Sequence, residues 1–198
     1  MDTQTLDARA QRDKAIDEVL AKQHIYDALC RYCHGIDRCD VDMLRSAYWP
    51  DAYEQHGTYD GPAWEFAGFI TDNMRNGMLR STQMIGTCLI EVDGDRARSE
   101  TYVLAYLQSE ENGERIDRII SGRYLDRHER RNGEWRILRR LYVLDWNQNR
   151  PSTDRWDEDG LYSMLKVRGR RYPDDPWDAG LPIHAGSKSA TKINGGEL

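Results

Sequence analysis

Residues 82–146 are TQMIGTCLIEVDGDRARSETYVLAYLQSEENGERIDRIISGRYLDRHERRNGEWRILRRLYVLDW. Three tight-turn dipeptides interrupt this stretch, Asp93-Gly94, Asn112-Gly113 and Asn132-Gly133, and each tolerates the positive φ angles of a two-residue hairpin loop. They separate four segments that we expect to be strands: Thr82–Val92, Arg96–Gln108, Arg115–Arg131 and Glu134–Trp146. Four long strands joined by three hairpins predict an antiparallel meander.

The residues before this stretch have the periodicity of helices. Apolar side chains recur at helical spacing from Arg12 to His34, with Gln23 as the place where that first helix could break. Three further elements are predicted: a short helix capped by Asp40 and stopped by Pro50, a short strand at Asp51–His56, and a helix from Ala63 to about Met78. Helices followed by a meander predict an α+β fold. Three N-terminal helices would pack in the concavity of a curled antiparallel sheet and leave a pocket between the layers.

The end of the first helix, Tyr32-Cys33-His34-Gly35-Ile36-Asp37, brings a phenol, an imidazole and a carboxylate within six residues. On a continuous helix, Tyr32 and Asp37 would lie roughly 140° apart. Glycine often ends a helix, so we expect the helix to stop at Gly35 and both side chains to enter the pocket. An ordinary C-cap, followed by Asp37 or Asp40 as the next N-cap, is the alternative that these residues leave open.

Composition and charge limit the function classes. The chain has 198 residues, a net charge of −6 and a pI near 5.4, which argue against a nucleic-acid partner. No stretch resembles a signal peptide or the roughly 18 apolar residues of a membrane span, so we expect a cytoplasmic location, reduced cysteines and no membrane partner. The expected organisation is a mobile N-terminus at 1–12, one domain at 13–149, an extension at 150–185 that packs on the domain or on a neighbouring subunit, and a disordered tail at 186–198. One helix, Asp157–Val167, is predicted within the extension.

The cysteines suggest two metal alternatives. Cys30-Arg31-Tyr32-Cys33-His34 matches the haem c attachment pattern, and Cys39 would complete a set of zinc ligands. Both cysteines of the pattern lie in the apolar stripe of the predicted helix, where cysteine behaves as a small hydrophobic residue. We therefore expect no metal and no cofactor. The other histidines, His24, His128 and His184, are expected at the surface.

Several motifs, in order along Ala15–Asn149, resemble the SnoaL-like branch of the NTF2-like superfamily. They are Arg31-Tyr32 with Asp37, Trp49-Pro50-Asp51-Ala52, Gly57–Pro62, Ile85–Asp95, Gly122–Asp126 and Asn132–Arg136. The superfamily includes scytalone dehydratase, hexachlorocyclohexane dehydrochlorinase, bile-acid 7α-dehydratase and ketosteroid isomerase. The resemblance implies a cone-shaped α+β fold with an acid–base site inside the cone.

The resemblance also implies site residues. In the dehydratases and the dehydrochlorinase, an Asp at the position of Asp37 pairs with a His at the position that Gln83 occupies here. A glutamine side chain cannot take up a proton at neutral pH, so either the base lies elsewhere or the protein does not catalyse a reaction. The candidate catalytic residues are Asp37 first, then His34 and His56, with Tyr32 as acid or oxyanion donor. The candidate substrate-binding residues are Gln83, Thr87, Arg140, Arg123, Trp49, Tyr59 and Tyr142.

The implied function is that of a cofactor-independent lyase of the dehydratase or deformylating type, with isomerase as a related activity. Its substrate would be a hydroxylated aromatic or cyclic small molecule, such as a lignin-derived diarylpropanoid, which suits a chain with 6 Trp and 11 Tyr but 2 Phe. The alternative is a non-catalytic ligand-binding protein, or a structural subunit similar to a ring-hydroxylating dioxygenase β subunit. We expect a homodimer or homotrimer formed through the exposed convex face of the sheet.

Overall fold

The structure is a computed structural model that describes residues 3–155 and 160–178. Its elements in chain order are α1 (Thr3–Arg38), α2 (Val41–Ser46), β1 (Tyr48–His56), β2 (Tyr59–Pro62), α3 (Ala63–Gly77), β3 (Arg80–Asp93), β4 (Arg96–Glu111), β5 (Glu114–Arg131), β6 (Glu134–Pro151) and α4 (Gly160–Ser163). Three helices precede the long strands, and the predicted α+β class is confirmed.

The described strands form one six-stranded sheet in the order β2-β1-β6-β5-β4-β3. Strands β3 to β6 are an antiparallel meander, which confirms the hairpin prediction. Asn112-Gly113 and Asn132-Gly133 have the expected positive φ angles. The first hairpin turns at Gly94-Asp95, one residue later than predicted, because Asp93 pairs with Arg96. At the other edge, β1 runs parallel to β6 and antiparallel to β2.

The hydrophobic core lies between the helices and the inner face of this sheet. It combines residues from α1, α2 and α3 with residues from the central strands, among them Leu29, Ile36, Leu44, Phe66, Val103, Tyr124 and Ile137. A second cluster joins Ala21 and Ile25 of α1 to Ala97 and Trp135 at the far ends of the strands. Helix α1 is thus attached to the sheet along its C-terminal half, which fixes the position of its end.

Helix α1 is longer than the sequence predicts. It begins at Thr3, passes Gln23 without a break and continues to Arg38. The left-handed residue that follows is Cys39, with a φ of 54°. Asp40 caps α2 as predicted, since its carboxylate accepts the backbone N–H groups at the start of that helix.

Gly35 allows a close helix–helix contact and does not end α1. A Cβ atom at this position would lie 2.7 Å from the backbone N and 2.8 Å from the Cα of Leu44. Glycine is therefore required for α2 to fold back against α1. The prediction that the helix stops at Gly35 was wrong, and Tyr32 and Asp37 lie on different faces of one continuous helix.

A bulge in β3 changes which side chains face the helices. It lies between Ile85 and Cys88 and reverses the alternation of the strand. Gln83 faces inward before the bulge and Cys88 packs on the core after it, whereas Thr87 is exposed. Thr87, a candidate substrate-binding residue, therefore does not face the helices with Gln83, and that prediction was wrong.

The C-terminal extension returns to α1. Helix α4 falls within the predicted helix Asp157–Val167, whose first residues lie outside the described part of the chain, as do His184 and the predicted tail at 186–198. Residues 168–178, which we name the C-terminal strap, pack against the end of α1, where the Tyr172 backbone N–H donates to the Arg38 carbonyl at 2.7 Å. No helix in the described ranges is long and apolar enough to cross a membrane.

Candidate active site

A cavity of about 240 Å³ lies between the helices and the inner face of the sheet. Its wall consists of Ile36, His56, Ile70, Met74, Gln83, Val103, Ala105, Leu107, Ile120, Tyr124, Tyr142 and Leu144. Larger grooves elsewhere, of about 580 and 480 Å³, are more open and are lined by charged side chains of both signs. The smaller cavity is the better candidate site, because its few polar groups project from a mostly apolar wall.

A buried carboxylate on the same strand holds His56. Glu54 is fully buried, and its Oε1 lies 3.1 Å from His56 Nδ1 while its Oε2 accepts the Tyr48 hydroxyl at 2.6 Å. Tyr32 Oη is 3.5 Å from the same Nδ1, at the outer limit of a hydrogen bond. The shorter contact is with a carboxylate, which only accepts, so this geometry favours the tautomer with the proton on Nδ1. Nε2, which has no protein partner in the described residues, then carries the lone pair of a base.

Two aromatic rings fix the plane of the imidazole. The rings of His56 and Tyr142 stack with centroids 4.3 Å apart and planes 14° apart, and Phe66 lies 5.2 Å away on a plane tilted by 21°. Gly122 makes this arrangement possible, because a Cβ atom there would lie 2.6–2.7 Å from the Tyr142 ring and hydroxyl. The imidazole is therefore held in one orientation before any ligand binds, as a preorganised base requires.

Arg140 lies behind the cavity wall, contrary to the expectation that it lines the pocket. Its guanidinium is fully buried between the rings of Tyr32 and Tyr124, at 4.0 and 3.9 Å from their centroids. It also forms a bidentate ion pair with Asp126, at 2.8 and 2.7 Å. These cation–π contacts and the paired carboxylate engage the guanidinium inside the core, away from a ligand in the cavity.

Tyr32 is a core residue that supports the site. Its ring packs edge-on against Tyr48 and Tyr124, with centroids 5.8 and 5.2 Å away. Burial raises the pKa of its phenol well above the usual value, so the hydroxyl stays protonated. The structure places this hydroxyl beside His56 and not in the cavity wall.

Asp37 is buried at the end of α1 and contacts the cavity through Gln83. Its two carboxylate oxygens accept the Gln83 backbone N–H at 2.9 and 3.1 Å. Burial raises the pKa of Asp37 to about 6, although the hydrogen bond from Gln83 acts in the opposite direction. The Gln83 side chain lines the cavity, and its Oε1 is buried without a hydrogen-bond partner among the described residues. Gln83 therefore has a buried, unpaired acceptor beside the cavity.

Two other predicted site residues face away from the cavity. His34 packs against Trp177 of the C-terminal strap, with ring centroids 6.1 Å apart. Arg123 forms ion pairs on the outer face of the sheet with Asp145 and Glu100. The expectation that His34 and Arg123 enter the pocket was therefore wrong.

Trp49 and Tyr59 are also engaged elsewhere. The Trp49 indole N–H donates to the Glu129 carbonyl at 2.9 Å, and the Tyr59 hydroxyl donates to the Pro62 carbonyl at 2.9 Å. Neither residue lies in the cavity wall. Of the predicted site residues, the structure brings His56, Gln83 and Tyr142 together in the cavity, with Asp37 and Tyr32 directly behind them.

One predicted surface residue is buried. His128 packs in the core with Ser99 Oγ 2.8 Å from its Nε2, and burial lowers its pKa to about 4. The surface prediction for His128 was wrong because a histidine in an alternating strand can occupy either face. His24 is exposed, as expected.

Five residues of the site were not predicted: Tyr48, Glu54, Phe66, Gly122 and Tyr124. Glu54 had a readable signal, because it precedes His56 by two residues in a segment that was predicted as a strand, so both must share one face. Gly122 had a weaker signal in the sequence, since a glycine inside a strand can mark a close approach of another group. Nothing local identifies which group approaches.

Comparison with known proteins agrees with this architecture. The SnoaL-like domain family matches residues 17–141, and no curated protein matches the chain. A candidate scytalone dehydratase from Novosphingobium aromaticivorans is 16% identical, with a TM-score of 0.60 over 66% of this chain and 88% of that one. A type 3 hexachlorocyclohexane dehydrochlorinase from Novosphingobium barchaimii is 22% identical, with a TM-score of 0.60 over 71% and 96%.

A candidate aromatic ring hydroxylase from Novosphingobium aromaticivorans is 17% identical, with a TM-score of 0.59 over 68% of this chain and 94% of that one. At such identities, the likeness to these structures shows the fold alone. The family match is independent of them and spans more than half of the chain. The cone-shaped α+β architecture and this match together show that the chain belongs to the SnoaL-like family.

Proposed function

We propose that this protein is a cofactor-independent lyase that removes water or a small fragment from a hydroxylated aromatic or cyclic molecule. The observation that carries the proposal is the hydrogen-bonded series Tyr48–Glu54–His56, which ends at a mostly apolar cavity. A dehydrochlorinase and a candidate dehydratase among the structures with the same fold support it.

In this mechanism His56 is the general base, in place of Asp37. Asp37 already accepts the Gln83 N–H and lies outside the cavity wall, whereas His56 Nε2 has no protein partner in the described residues. Nε2 takes a proton from a C–H beside an electron-withdrawing group or from a substrate hydroxyl, and Glu54 stabilises the imidazolium through Nδ1–H.

The electron pair released by this step forms the new double bond as the neighbouring C–O or C–C bond breaks. In a dehydration, the departing hydroxide takes the proton back from the imidazolium and leaves as water, so the base is regenerated. Tyr142 lies in the wall beside His56, and burial raises the pKa of its phenol. Its hydroxyl therefore stays protonated and donates a hydrogen bond to the departing oxygen.

The wall favours a neutral ring compound. No arginine or lysine is among the lining residues in the described part of the chain, and Gln83 Oε1 is an acceptor for a hydroxyl donor. The cavity of about 240 Å³ is below the range of about 300–1,000 Å³ that is usual for drug-sized ligands. It suits one ring with a short side chain, so the second ring of a diarylpropanoid would extend beyond it.

The test is a screen of neutral phenolic and alicyclic alcohols for the ultraviolet absorbance of a conjugated product. Turnover of at least one neutral compound, and none of matched carboxylates, is the expected result. Glutamine at the position of the family histidine favours a second candidate function, a binding protein without catalysis. Saturable binding of the same compounds without product formation would decide for that alternative.

Asp37→Asn is expected to stabilise the protein at neutral pH. The pKa of Asp37 is raised from 3.8 to about 6 in the folded state, so its contribution to stability is fully present below pH 4 and is lost as the pH rises to about 6. A neutral asparagine avoids this loss, which amounts to roughly 2–3 kcal/mol above pH 6. Urea unfolding between pH 4 and pH 8 measures the difference in the free energy of unfolding between the variant and wild type. A difference that does not grow with pH would contradict the raised pKa of Asp37.

We also propose self-association through the outer face of the sheet. Exposed apolar side chains lie there on β3, β4 and β6: Met84, Leu89, Tyr102, Leu104 and Leu141. An apolar surface of this kind on a sheet is typical of an interface. Sedimentation should show a dimer or trimer that Leu104→Glu dissociates, and a wild-type monomer at micromolar concentration would reject the proposal.

A further inference from the structure

The C-terminal strap meets α1 at Asp37 through one arginine. Arg171 Nη1 donates to the carbonyl oxygen of Asp37 and, at 2.9 Å, to Ser81 Oγ. Its Nη2 donates to the carbonyl oxygens of Met74 and Met78, at 3.5 and 3.3 Å. One guanidinium thus joins the end of α1, the end of α3 and the first residues of β3.

The chemistry of this contact explains why an arginine is present. The last carbonyl groups of a helix lack intrahelical donors and carry a partial negative charge. A planar guanidinium can donate to several of them at once, which a lysine ammonium on a flexible stem does less well. Within the described residues Arg171 has no carboxylate at ion-pair distance, and burial lowers its pKa. The cation is therefore held by neutral acceptors at two helix ends.

The rest of the strap contacts α1 at the neighbouring residue, Arg38. The Tyr172 N–H donates to the Arg38 carbonyl at 2.7 Å, and the Arg38 side chain lies 3.5 Å from the Asp175 carboxylate. Asp175 in turn accepts the backbone N–H groups of Arg170 and Trp177, at 2.9 and 3.0 Å. These bonds hold the strap in a compact turn and keep Arg171 directed inward.

We propose that Arg171 is a positioning residue that holds Gln83 in the cavity wall. Ser81 precedes Gln83 by two residues on β3, and Asp37 binds the Gln83 N–H directly. Arg171 binds the carbonyl oxygen of Asp37, the residue whose carboxylate accepts the Gln83 N–H. It also binds the hydroxyl of Ser81, two residues before Gln83 on the same strand. Arg171 thereby holds both neighbours that set the position of Gln83. The kinetic consequence rests on the proposed lyase reaction, in which Gln83 Oε1 accepts a substrate hydroxyl, whereas the structural consequence does not.

The kinetic test compares Arg171→Met with Arg170→Met, which removes an exposed arginine from the same strap. Arg171→Met is expected to raise KM about tenfold with a smaller change in kcat, because one hydrogen bond to the substrate weakens. Arg171→Lys keeps the charge without the planar fork and should fall between wild type and Arg171→Met. Equal KM values for Arg171→Met and Arg170→Met would overturn the kinetic role.

A second test needs no substrate and uses the backbone amide of Gln83 in proton–nitrogen correlation spectra. The titratable, charged and polar groups around Asp37 are Cys33 and Arg38 on α1, Cys39 directly after it, Ser81 and Gln83 on β3, and Arg171 on the strap. In wild type the Gln83 amide should titrate with Asp37. In Arg171→Met it should shift, and its midpoint should move to higher pH because a nearby cation is lost.

Arg170→Met should leave the Gln83 amide unchanged, and Arg171→Lys covers the case in which the methionine variant folds poorly. An unshifted Gln83 amide in both Arg171 variants would overturn the positioning role. A wild-type protein without lyase activity would reject the proposed function, yet the amide shift would still decide the role of Arg171.

Discussion

His56→Asn is expected to lower kcat about 10³-fold while the fold remains intact. General bases typically contribute about 10²–10⁴ to the rate, and asparagine keeps a polar group without the ability to accept a proton at Nε2. Glu54→Gln should cost about 10²-fold, because the amide can turn its NH₂ group toward Nδ1 and favour the wrong tautomer. Tyr48→Phe, which removes one of the hydrogen bonds to Glu54, should have a smaller effect.

These variants are compared by the ultraviolet assay on the best substrate from the screen, with far-ultraviolet circular dichroism to confirm folding. His24→Asn is the matched control, since His24 is exposed on α1 and remote from the cavity lining. A His56→Asn protein that retains the wild-type rate would reject His56 as the base. Asp37 would then be the remaining candidate.

Asp126→Ala is expected to cause the largest loss of stability, about 3–5 kcal/mol. The substitution leaves the Arg140 guanidinium fully buried without its carboxylate, and an uncompensated buried charge is far more costly than a lost surface pair. Replacing both partners by apolar residues, as in Asp126→Leu with Arg140→Met, should recover a large part of this loss.

Urea denaturation of the single and double variants measures this coupling. Arg98→Met is a suitable control, because Arg98 pairs with Glu91 at the surface and its loss should change stability by less than about 0.5 kcal/mol. An Asp126→Ala protein as stable as this control would show that the core ion pair contributes little to holding the tyrosines around His56.

The meander was predictable because its signals are local. Asn112-Gly113 and Asn132-Gly133 need positive φ angles, and those angles are set within the turn itself. The same applies to Asp40, whose carboxylate caps a helix that starts at the next residue. Gly35 shows the limit of local signals. A glycine serves either a left-handed cap or a close contact, and only the approach of Leu44 distinguishes the two.

The candidate site was predictable in part, for related reasons. His56, Gln83 and Tyr142 were identified. Their neighbours were not, because they depend on which face of a strand a side chain occupies and on residues from strands that are distant in the sequence. The β3 bulge inverts the side of Thr87, and nothing in a single strand reveals an extra residue opposite its partner. Arg140 was predicted in the pocket because an arginine on a strand can lie on either face of the sheet. Its burial in the core depends on Asp126 of the neighbouring strand, which pairs with it.

The proposed reaction depends on Glu54, which holds the proton on His56 Nδ1 and leaves Nε2 as a base facing the cavity. Nitrogen NMR of histidine-labelled protein at mildly alkaline pH, with and without a neutral phenolic alcohol, reports the protonation of both ring nitrogens. We expect a protonated Nδ1, an unprotonated Nε2, and a ligand-induced change confined to the Nε2 resonance of His56. A protonated Nε2, or a His56 signal that no ring alcohol perturbs, would contradict this role of His56.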